Sequence, residues 1–200
     1  SIEPCPAEST KRSRSGQRGS PGANLRKRVK STVATSAMRI GYVDIDVHHG
    51  DGIYYSYEHD PDLIFADIHQ DGRTLYPGTG SANEIGRGEA AGTKLNIALA
   101  PGSGDAEFMA AWPRVEAHLE RFAPEILVVQ CGADGLAGYP LAHLEYTAAV
   151  HAHAISRLRA LADRHASGRL RMGISGKAFA CHPQVVPSPD LEGAHRNVVG

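Results

Sequence analysis

The sequence has few cysteines and no long apolar segment, and each absence excludes a class of protein. Cys5, Cys131 and Cys181 lie far apart and form no Cys-x-x-Cys pair. We therefore expect neither a disulfide framework nor a thiolate zinc site, and a reducing cytoplasm is the predicted location. No run of residues approaches the roughly 18 apolar positions that a transmembrane helix needs, which excludes a membrane span.

Nucleotide-binding motifs are missing as well. No Gly-x-Gly-x-x-Gly follows a predicted strand. Gly176 and Lys177 lack the preceding loop of a phosphate-binding P-loop. The residues that cradle a nucleotide's phosphates in these folds are therefore absent from the sequence.

Acidic residues are scarce at the start of the chain. Positions 1–39 hold nine Lys or Arg residues against only Glu3 and Glu8, whereas the other positions hold twelve basic against twenty acidic residues. Residues 1–37 are rich in Ser, Arg and Pro without apolar periodicity, so we predict a disordered basic segment. An organelle-targeting peptide and a nucleic-acid arm stay open as alternatives, although we do not expect nucleic acid as a partner.

From Met38 onward, β-branched runs alternate with amphipathic stretches, and 42% of the residues are hydrophobic. The patterns predict strands over residues 39–46, 63–69, 94–98, 126–131 and 169–174. They predict helices over residues 105–122, capped by Asp105, and over residues 147–165, with a long loop over residues 72–92. This alternation predicts an α/β fold with a mainly parallel sheet flanked by helices over residues 38–175, and an irregular tail over residues 176–200.

Polar residues follow several of these strands. Asp46 and His48 come at the end of the first strand, Asp67 and His69 at the end of the second, and Asp134 after the fourth. Ligands of open α/β sheets bind at the carboxyl ends of the strands. The three segments therefore predict a binding site at this edge of the sheet.

The segment that follows Val43 favours a metal ion at that edge. If the strand continues, Asp44, Asp46 and His48 lie on one face, and two buried carboxylates beside an imidazole are stabilised by a cation. Carboxylate and imidazole together suit zinc, and catalytic zinc commonly has three protein ligands. Asp134 is the candidate for the third. For an isolated Asp-x-His, a structural role is the ordinary alternative.

The longer motif identifies a family. Residues Tyr42–Gly52 read Tyr-Val-Asp-Ile-Asp-Val-His-His-Gly-Asp-Gly, which resembles the signature of the histone deacetylase superfamily. The resemblance covers about residues 38–171 and looks greatest to bacterial members of the histone deacetylase-like, acetoin-utilisation and acetylpolyamine amidohydrolase group. It continues in the family's order through Phe65–His69, Tyr76–Gly80, Lys94–Asn96, Gln130–Gly138 and Pro140–Leu144.

The resemblance implies an incomplete arginase/deacetylase-like fold and a zinc-dependent amide hydrolase acting on acetyl-lysine or a related acylated amine. By the same resemblance Asp46, His48 and Asp134 are the zinc ligands. Asp44 and Asp51 match carboxylates that orient the family's catalytic histidines. The substrates it implies are an acetylated lysine protein, a polyamine or a small molecule.

Two further sites come from the resemblance. Tyr76 matches an aromatic wall of the acyl-lysine tunnel, with Gly78 in the rim beside it; a packed turn aromatic is the alternative reading of Tyr76. By the resemblance, the family's potassium site maps to Asp44, Asp46, His48, Asp67 and Ile68. The family commonly has serine at the position of Asp67, so the chain departs from the pattern there.

The chain also departs from the family pattern. Residues 1–37 contain no histidine, so the general acid/base His-His pair is not found, and no tyrosine after Tyr146 matches the family's Gly-rich-Tyr turn. Loss of a general acid/base group costs about 10²–10⁴-fold in rate, so we expect impaired turnover. The alternative function is therefore a fragment or pseudoenzyme that keeps the metal site, with apparent truncation at both ends and flanks of foreign or frame-shifted origin.

A third function comes from a different class of enzyme. Asp46-Val-His48 also resembles the opening motif of two-metal phosphoesterases. Those enzymes need further Gly-Asp and Gly-Asn-His motifs to hold the second metal, and the sequence lacks that ordered set.

Overall fold

The computed structural model describes residues 38–173, so the predictions for residues 1–37 and for the irregular tail lie outside the described residues. Within that range the chain forms one five-stranded sheet in the order β3-β2-β1-β4-β5, and each neighbouring pair of strands is parallel. The strands are β1 (Ile40–Asp44), β2 (Leu63–Gln70), β3 (Lys94–Leu99), β4 (Ile126–Gln130) and β5 (Leu170–Gly173).

Helices connect the strands, and the predicted α/β fold is confirmed. They are α1 (Asp51–Ser56), a 3-10 turn (Gly88–Ala90), α2 (Asp105–Phe122) and α3 (Ala148–His165). No helix in residues 38–173 combines the length and the apolar character needed to cross a membrane.

Helix α2 forms because its apolar residues recur every three or four positions and pack on the sheet. Its buried side chains are Phe108, Ala111, Trp112, Val115 and Leu119. Full burial of a large apolar side chain stabilises the fold by about 1.5–3 kcal/mol, so this face holds the helix in place. Helix α3 packs beside it through a similar stripe that includes Val150 and Leu158.

The start of α2 differs from the prediction that Asp105 caps it. Gly104 is the capping residue, and its backbone N–H donates to the Glu107 carboxylate at 2.8 Å. The Asp105 carboxylate instead accepts bonds from the Thr147 backbone N–H at 2.7 Å and from its hydroxyl at 2.6 Å. Since Thr147 is the N-cap of α3, Asp105 joins the first turns of the two helices.

Strand β1 lies at the centre of the sheet, between β2 and β4, and all five of its residues are buried. Its alternate side chains enter two apolar clusters, with Val43 in one and Tyr42 in the other. Gly41 allows this packing, because a Cβ atom there would lie 2.6 Å from Leu127 Cδ2 and 2.9 Å from Pro124 Cγ. Close packing on both faces thereby holds the central strand and its carboxyl end in place.

Candidate metal centre

The carboxyl ends of β1, β2 and β4 lie side by side. Asp44, the last residue of β1, is in register with Asp67 on one side and with Gln130 on the other. The chain then turns through Asp46 and His48 after β1, and through Asp134 after β4. Parallel pairing therefore gathers these side chains at one edge, as the sequence predicts.

Asp46, His48 and Asp134 come together there. Each offers one ligand atom, and these atoms all lie within 4.8 Å of one another. His48 Nδ1 lies 3.1 Å from Asp46 Oδ1 and 3.0 Å from Asp134 Oδ2. The exposed fraction of the side chain is 32% for His48, 15% for Asp46 and 11% for Asp134, so the cluster is partly buried but accessible to solvent.

Backbone amides fix the carboxylates of this cluster. The His48 N–H donates to Asp46 Oδ1 at 2.9 Å, and the Val47 N–H donates to Asp134 Oδ1 at 3.0 Å. The Asp46 N–H in turn donates to Asp44 Oδ1 at 3.0 Å. Bonds to charged acceptors are stronger than neutral ones, so the turn after β1 holds its ligands in fixed positions.

A glycine makes room for the cluster. A Cβ atom on Gly132 would lie 2.1 Å from Asp46 Oδ2, closer than two unbonded atoms can approach. His151 on α3 bonds through Nε2 to the Gly132 carbonyl oxygen at 2.9 Å, which ties that helix to the loop before Asp134. Gly132 lies within the predicted family motif Gln130–Gly138, but no role follows for it from the sequence, and the contact of His151 depends on the packing of α3.

Asp44 occupies a different position from the one expected. The strand ends at Asp44 instead of continuing to residue 46, so strand alternation does not explain why Asp46 and His48 meet; a tight turn does. Asp44 lies beneath the cluster, 3% exposed, and accepts a bond from the Tyr42 hydroxyl at 3.3 Å. Burial, and then the nearby Asp67 and Asp46 carboxylates, raise the pKa of Asp44 well above its ordinary value.

The electrostatics of the cluster favour a cation between its three ligand atoms. Hydrogen bonds to Asp134 and to Asp46 raise the pKa of His48 to about 10. Burial raises the pKa of Asp46. Burial also opposes ionisation of Asp134, but the bonds from His48 and Val47 outweigh it and lower that pKa. Two carboxylates thus converge on one imidazole nitrogen, a donor set that a borderline-hard metal ion fits.

The predicted potassium residues lie next to this cluster. A Cβ atom on Gly50 would lie 2.7 Å from Asp44 Oδ2 and 3.3 Å from Asp67 Oδ2, so the two carboxylates converge on that glycine. The Gly50 N–H donates to Asp67 Oδ2 at 2.8 Å, and His69 Nδ1 lies 2.8 Å from Asp67 Oδ1. Ile68 is fully buried. Burial opposes protonation of His69, yet the charge of Asp67 raises its pKa, so the imidazole balances that carboxylate.

The other predicted site residues are not members of the cluster. Asp51 is the first residue of α1; burial lowers the pKa of His49, and the charge of Asp51 acts on that pKa in the opposite direction. Tyr76 is 79% exposed and precedes a cis peptide bond to Pro77, so it is not a packed turn aromatic. Gly78 has a φ of +85°, a left-handed conformation that glycine adopts without strain.

Histidines outside the cluster have structural partners. His69 is buried and also bonds the Gly80 carbonyl oxygen at 3.0 Å, so both of its ring nitrogens have protein partners. His143 contributes its backbone N–H, which donates to Gln70 Oε1 at 2.8 Å. His49, adjacent to a cluster residue, is buried with Nδ1 bonded to the Thr79 hydroxyl at 2.8 Å.

The fold and the site together define an α/β protein with a candidate centre for a single metal ion. Comparison with known proteins then identifies the family. The family model described as "Histone deacetylase domain" matches residues 27–176. The chain therefore belongs to the histone deacetylase family, as its motifs predict.

Similar proteins come from plants and bacteria. The chain is 37% identical over 139 residues to histone deacetylase 14, chloroplastic, of Arabidopsis thaliana, covering 69% of this chain and 32% of that protein. It is 33% identical over 132 residues to the acetoin utilization protein AcuC of Bacillus subtilis, covering 66% and 34%. The bacterial branch expected from the motifs stays a prediction, because identity to the plant and bacterial proteins is similar.

A solved structure shares the fold. The acetylpolyamine aminohydrolase from Burkholderia pseudomallei matches with a TM-score of 0.63 at 26% identity, covering 72% of this chain and 41% of that one. The chain spans about a third of the length of the Arabidopsis and Bacillus relatives.

Proposed function

We propose that the chain is a zinc-dependent deacetylase that removes an acyl group from acetyl-lysine or a related acylated amine. The observation that carries the proposal is the convergence of Asp46, His48 and Asp134 within 4.8 Å at the carboxyl edge of the sheet. Membership of the histone deacetylase family supports the reaction class. Acetylated lysine proteins, polyamines and small acylated amines are the proposed substrates.

In this proposal Asp46, His48 and Asp134 hold the zinc ion. Zinc supplies Lewis-acid chemistry, which polarises the carbonyl of a scissile amide. The chain's own contribution is to fix the ligands: the Val47 and His48 amides orient the two carboxylates, and Gly132 leaves space for Asp46. Because the hydrogen bonds to Asp134 and Asp46 raise the pKa of His48 and so favour its protonated form, zinc would compete with a proton for this imidazole.

A potassium ion near Asp44 and Asp67 is a second part of the proposal. Both carboxylates converge on Gly50, and they lie in register on neighbouring strands. Asp44 also supports the zinc ligands by accepting the Asp46 N–H. The role proposed for Asp51 and the tunnel role of Tyr76 and Gly78 rest on the family resemblance; the high exposure of Tyr76 suits a residue at a substrate entrance.

The second candidate function is a protein of this family that binds zinc without efficient turnover. The observation that favours it is the absence of a His-His pair from the 37 residues that precede the described part, together with the absence of tyrosine after Tyr146. Such a chain keeps the three metal ligands and loses general acid/base catalysis.

One experiment on the full chain separates the two. Zinc content is measured by atomic emission, and hydrolysis is followed with a fluorogenic acetyl-lysine peptide and with an acetylated polyamine. One zinc per chain with hydrolysis supports the deacetylase, and zinc without hydrolysis supports the second function. A chain that binds no zinc after dialysis against the ion refutes both.

A further inference from the structure

The loop that carries Tyr76 is bonded to the turn that carries the candidate ligand His48. Tyr76 lies between β2 and β3 and is 79% exposed, so its own side chain does little to hold it in place. Three residues further on, Thr79 is partly buried and Gly80 is buried. The position of the loop beside the metal centre therefore depends on what Thr79 and Gly80 contact.

Thr79 makes the first link to the metal turn. Its hydroxyl is hydrogen-bonded to Nδ1 of His49 at 2.8 Å, and His49 directly follows His48 in the chain. His49 is 4% exposed, and within residues 38–173 its Nε2 atom has no hydrogen-bond partner. The bond to Thr79 is therefore the polar contact that orients this imidazole in the described part of the chain.

Gly80 makes the second link, through two further residues. Its carbonyl oxygen is hydrogen-bonded to Nε2 of His69 at 3.0 Å, and Nδ1 of His69 lies 2.8 Å from Asp67 Oδ1. The other carboxylate oxygen, Asp67 Oδ2, accepts the Gly50 N–H at 2.8 Å. Two consecutive loop residues are thus bonded by separate paths to two consecutive residues of the metal turn, His49 and Gly50.

The backbone of Gly80 also packs directly on the two imidazoles. A Cβ atom there would lie 2.3 Å from His69 Nε2 and 2.8 Å from His49 Cγ, and its φ of +88° is one that glycine adopts without strain. The ring centroids of the two histidines are 5.0 Å apart. Packed side chains and hydrogen-bond networks of this kind carry energetic coupling between sites. The loop and the turn after β1 therefore hold each other in position.

We propose that Thr79 is a positioning residue: through His49 it sets the position of Tyr76 relative to the metal ligand His48. The inference rests on the proposed function, in which Tyr76 stands at the substrate entrance. The metal ligands are held by the Val47 and His48 amides, so loss of the Thr79 hydroxyl alters the entrance and leaves the ligands in place. Substrate and transition state then bind less tightly by the same amount, which raises KM and leaves kcat unchanged.

Thr79→Val keeps the shape of the side chain and removes its hydroxyl. With the zinc-loaded full chain and a fluorogenic acetyl-lysine peptide, we expect KM to rise about 3- to 10-fold and kcat to stay within about twofold. Thr79→Ser keeps a hydroxyl and restores the wild-type KM. An unchanged KM in Thr79→Val, or a lowered kcat with unchanged KM, overturns the proposal.

Tyr55→Phe is the matched control. The Tyr55 hydroxyl also interacts with Thr79, but its removal leaves the bond between Thr79 and His49 in place. Since Tyr55 is 44% exposed, we expect KM to stay within about twofold of the wild-type value. A rise in KM as large as that of Thr79→Val shows that the Tyr55 contact is responsible, and the role of His49 is then wrong.

A double-mutant cycle tests whether Thr79 acts through Tyr76. If it does, Tyr76→Ala raises KM in the wild-type chain but adds little to the effect of Thr79→Val, because the side chain is already displaced. Additive increases in KM show that Thr79 acts by another route and overturn the proposal.

Amide hydrogen exchange, followed by NMR on the full chain, tests the link without any hydrolysis. The Gly80 and Ser81 N–H groups donate to Glu84 Oε1 at 2.9 Å. We expect them to exchange about threefold or more faster in Thr79→Val than in wild type and Thr79→Ser, because local opening of the loop costs less. If the wild-type chain hydrolyses no peptide, the proposed function fails, and exchange alone decides whether Thr79 positions the loop. Equal exchange rates in the three proteins overturn the inference.

Discussion

At the scale of single residues, small side chains determine whether the metal ligands fit. Asp46 packs directly against the Cα atom of Gly132, and its position is also set by the His48 N–H. Neither contact is a metal bond, yet both decide where the carboxylate oxygens lie. Mutation of residues that orient metal ligands typically lowers metal affinity by about 10- to 100-fold.

The first prediction concerns Gly132. A methyl group in Gly132→Ala lies 2.1 Å from Asp46 Oδ2 and displaces the carboxylate, so we expect zinc affinity to fall by about 10- to 100-fold. Competition with a chromogenic chelator measures the affinity.

Gly52→Ala is the matched control for this change. Gly52 lies in α1, and its added Cβ meets no atom within 4 Å. We expect unchanged zinc affinity and a gain of about 0.5–1 kcal/mol in stability, because alanine is the better helix former. Equal affinities of the two variants contradict the proposed position of Asp46 as a ligand.

The sequence predicts the three metal ligands but not the reason they meet. Asp46, His48 and Asp134 are recognisable from residue type, from their place after apolar strands and from the family motif. The turn that brings Asp46 and His48 together depends on backbone bonds to Asp44 and Asp46, which no side-chain pattern encodes. The buried partners of His69 and His151 depend on long-range packing for the same reason.

At the scale of elements, the long periodic segments are the predictable ones. Helix α2 spans residues 105–122 as predicted, because five apolar positions recur at helical spacing. Helix α1 was not predicted, since its six residues include Gly52 and its N-cap Gly50 makes no side-chain capping bond. The 3-10 turn at Gly88–Ala90 was predicted as loop, because the Gly-rich sequence there has no periodicity.

An ion pair joins the two long helices, and removing it is expected to lower the stability of the fold. Glu116 on α2 accepts both side-chain bonds of Arg157 on α3 and a bond from Trp112 Nε1, and its side chain is 14% exposed. Glu116→Gln is expected to lower the free energy of unfolding by about 1–2 kcal/mol at pH 7. Urea denaturation measures the change.

The difference in stability between wild type and Glu116→Gln is expected to decrease as the pH falls. The bonds to Arg157 lower the pKa of Glu116 in the folded protein, so its stabilisation is complete above the ordinary glutamate pKa. The stabilisation disappears as the pH falls through the lowered value, and wild type and Glu116→Gln then converge. Glu120→Gln is the control, since Glu120 and Arg164 join the same helices but are each 49% exposed. A loss as large in the control indicates that helix charge, and not the bonds of Glu116 to Arg157 and Trp112, is responsible.

At the scale of the whole molecule, the candidate metal centre brings together distant parts of the chain. Its three residues follow β1 and β4, so an ion bound there would join the loops that follow these two strands. A ligand that binds only the folded state stabilises it in proportion to the logarithm of its concentration. Thermal stability therefore reports on metal binding without any assay of activity.

We expect zinc at about 100 times its Kd to stabilise the wild-type chain by about 2.7 kcal/mol. In Asp134→Asn the amide oxygen still accepts the Val47 N–H, but the charged ligand is lost, and most of the zinc increment disappears. Thermal melts with and without zinc measure the increment. Asp163→Asn, an exposed carboxylate on α3 paired with Arg159, is the control and keeps the full increment. An equal increment in all three proteins excludes Asp134 from the site.

The separation of the ligands along the chain has a consequence during synthesis. His48 and Asp134 are 86 residues apart, so a growing chain that has emerged only as far as β3 holds two of the three groups. The third candidate ligand, Asp134, follows β4, so tight binding of an ion requires that β4 has paired with β1. We therefore expect the proposed zinc ion to bind only after β4 has paired with β1, so that metal binding reports completion of the sheet.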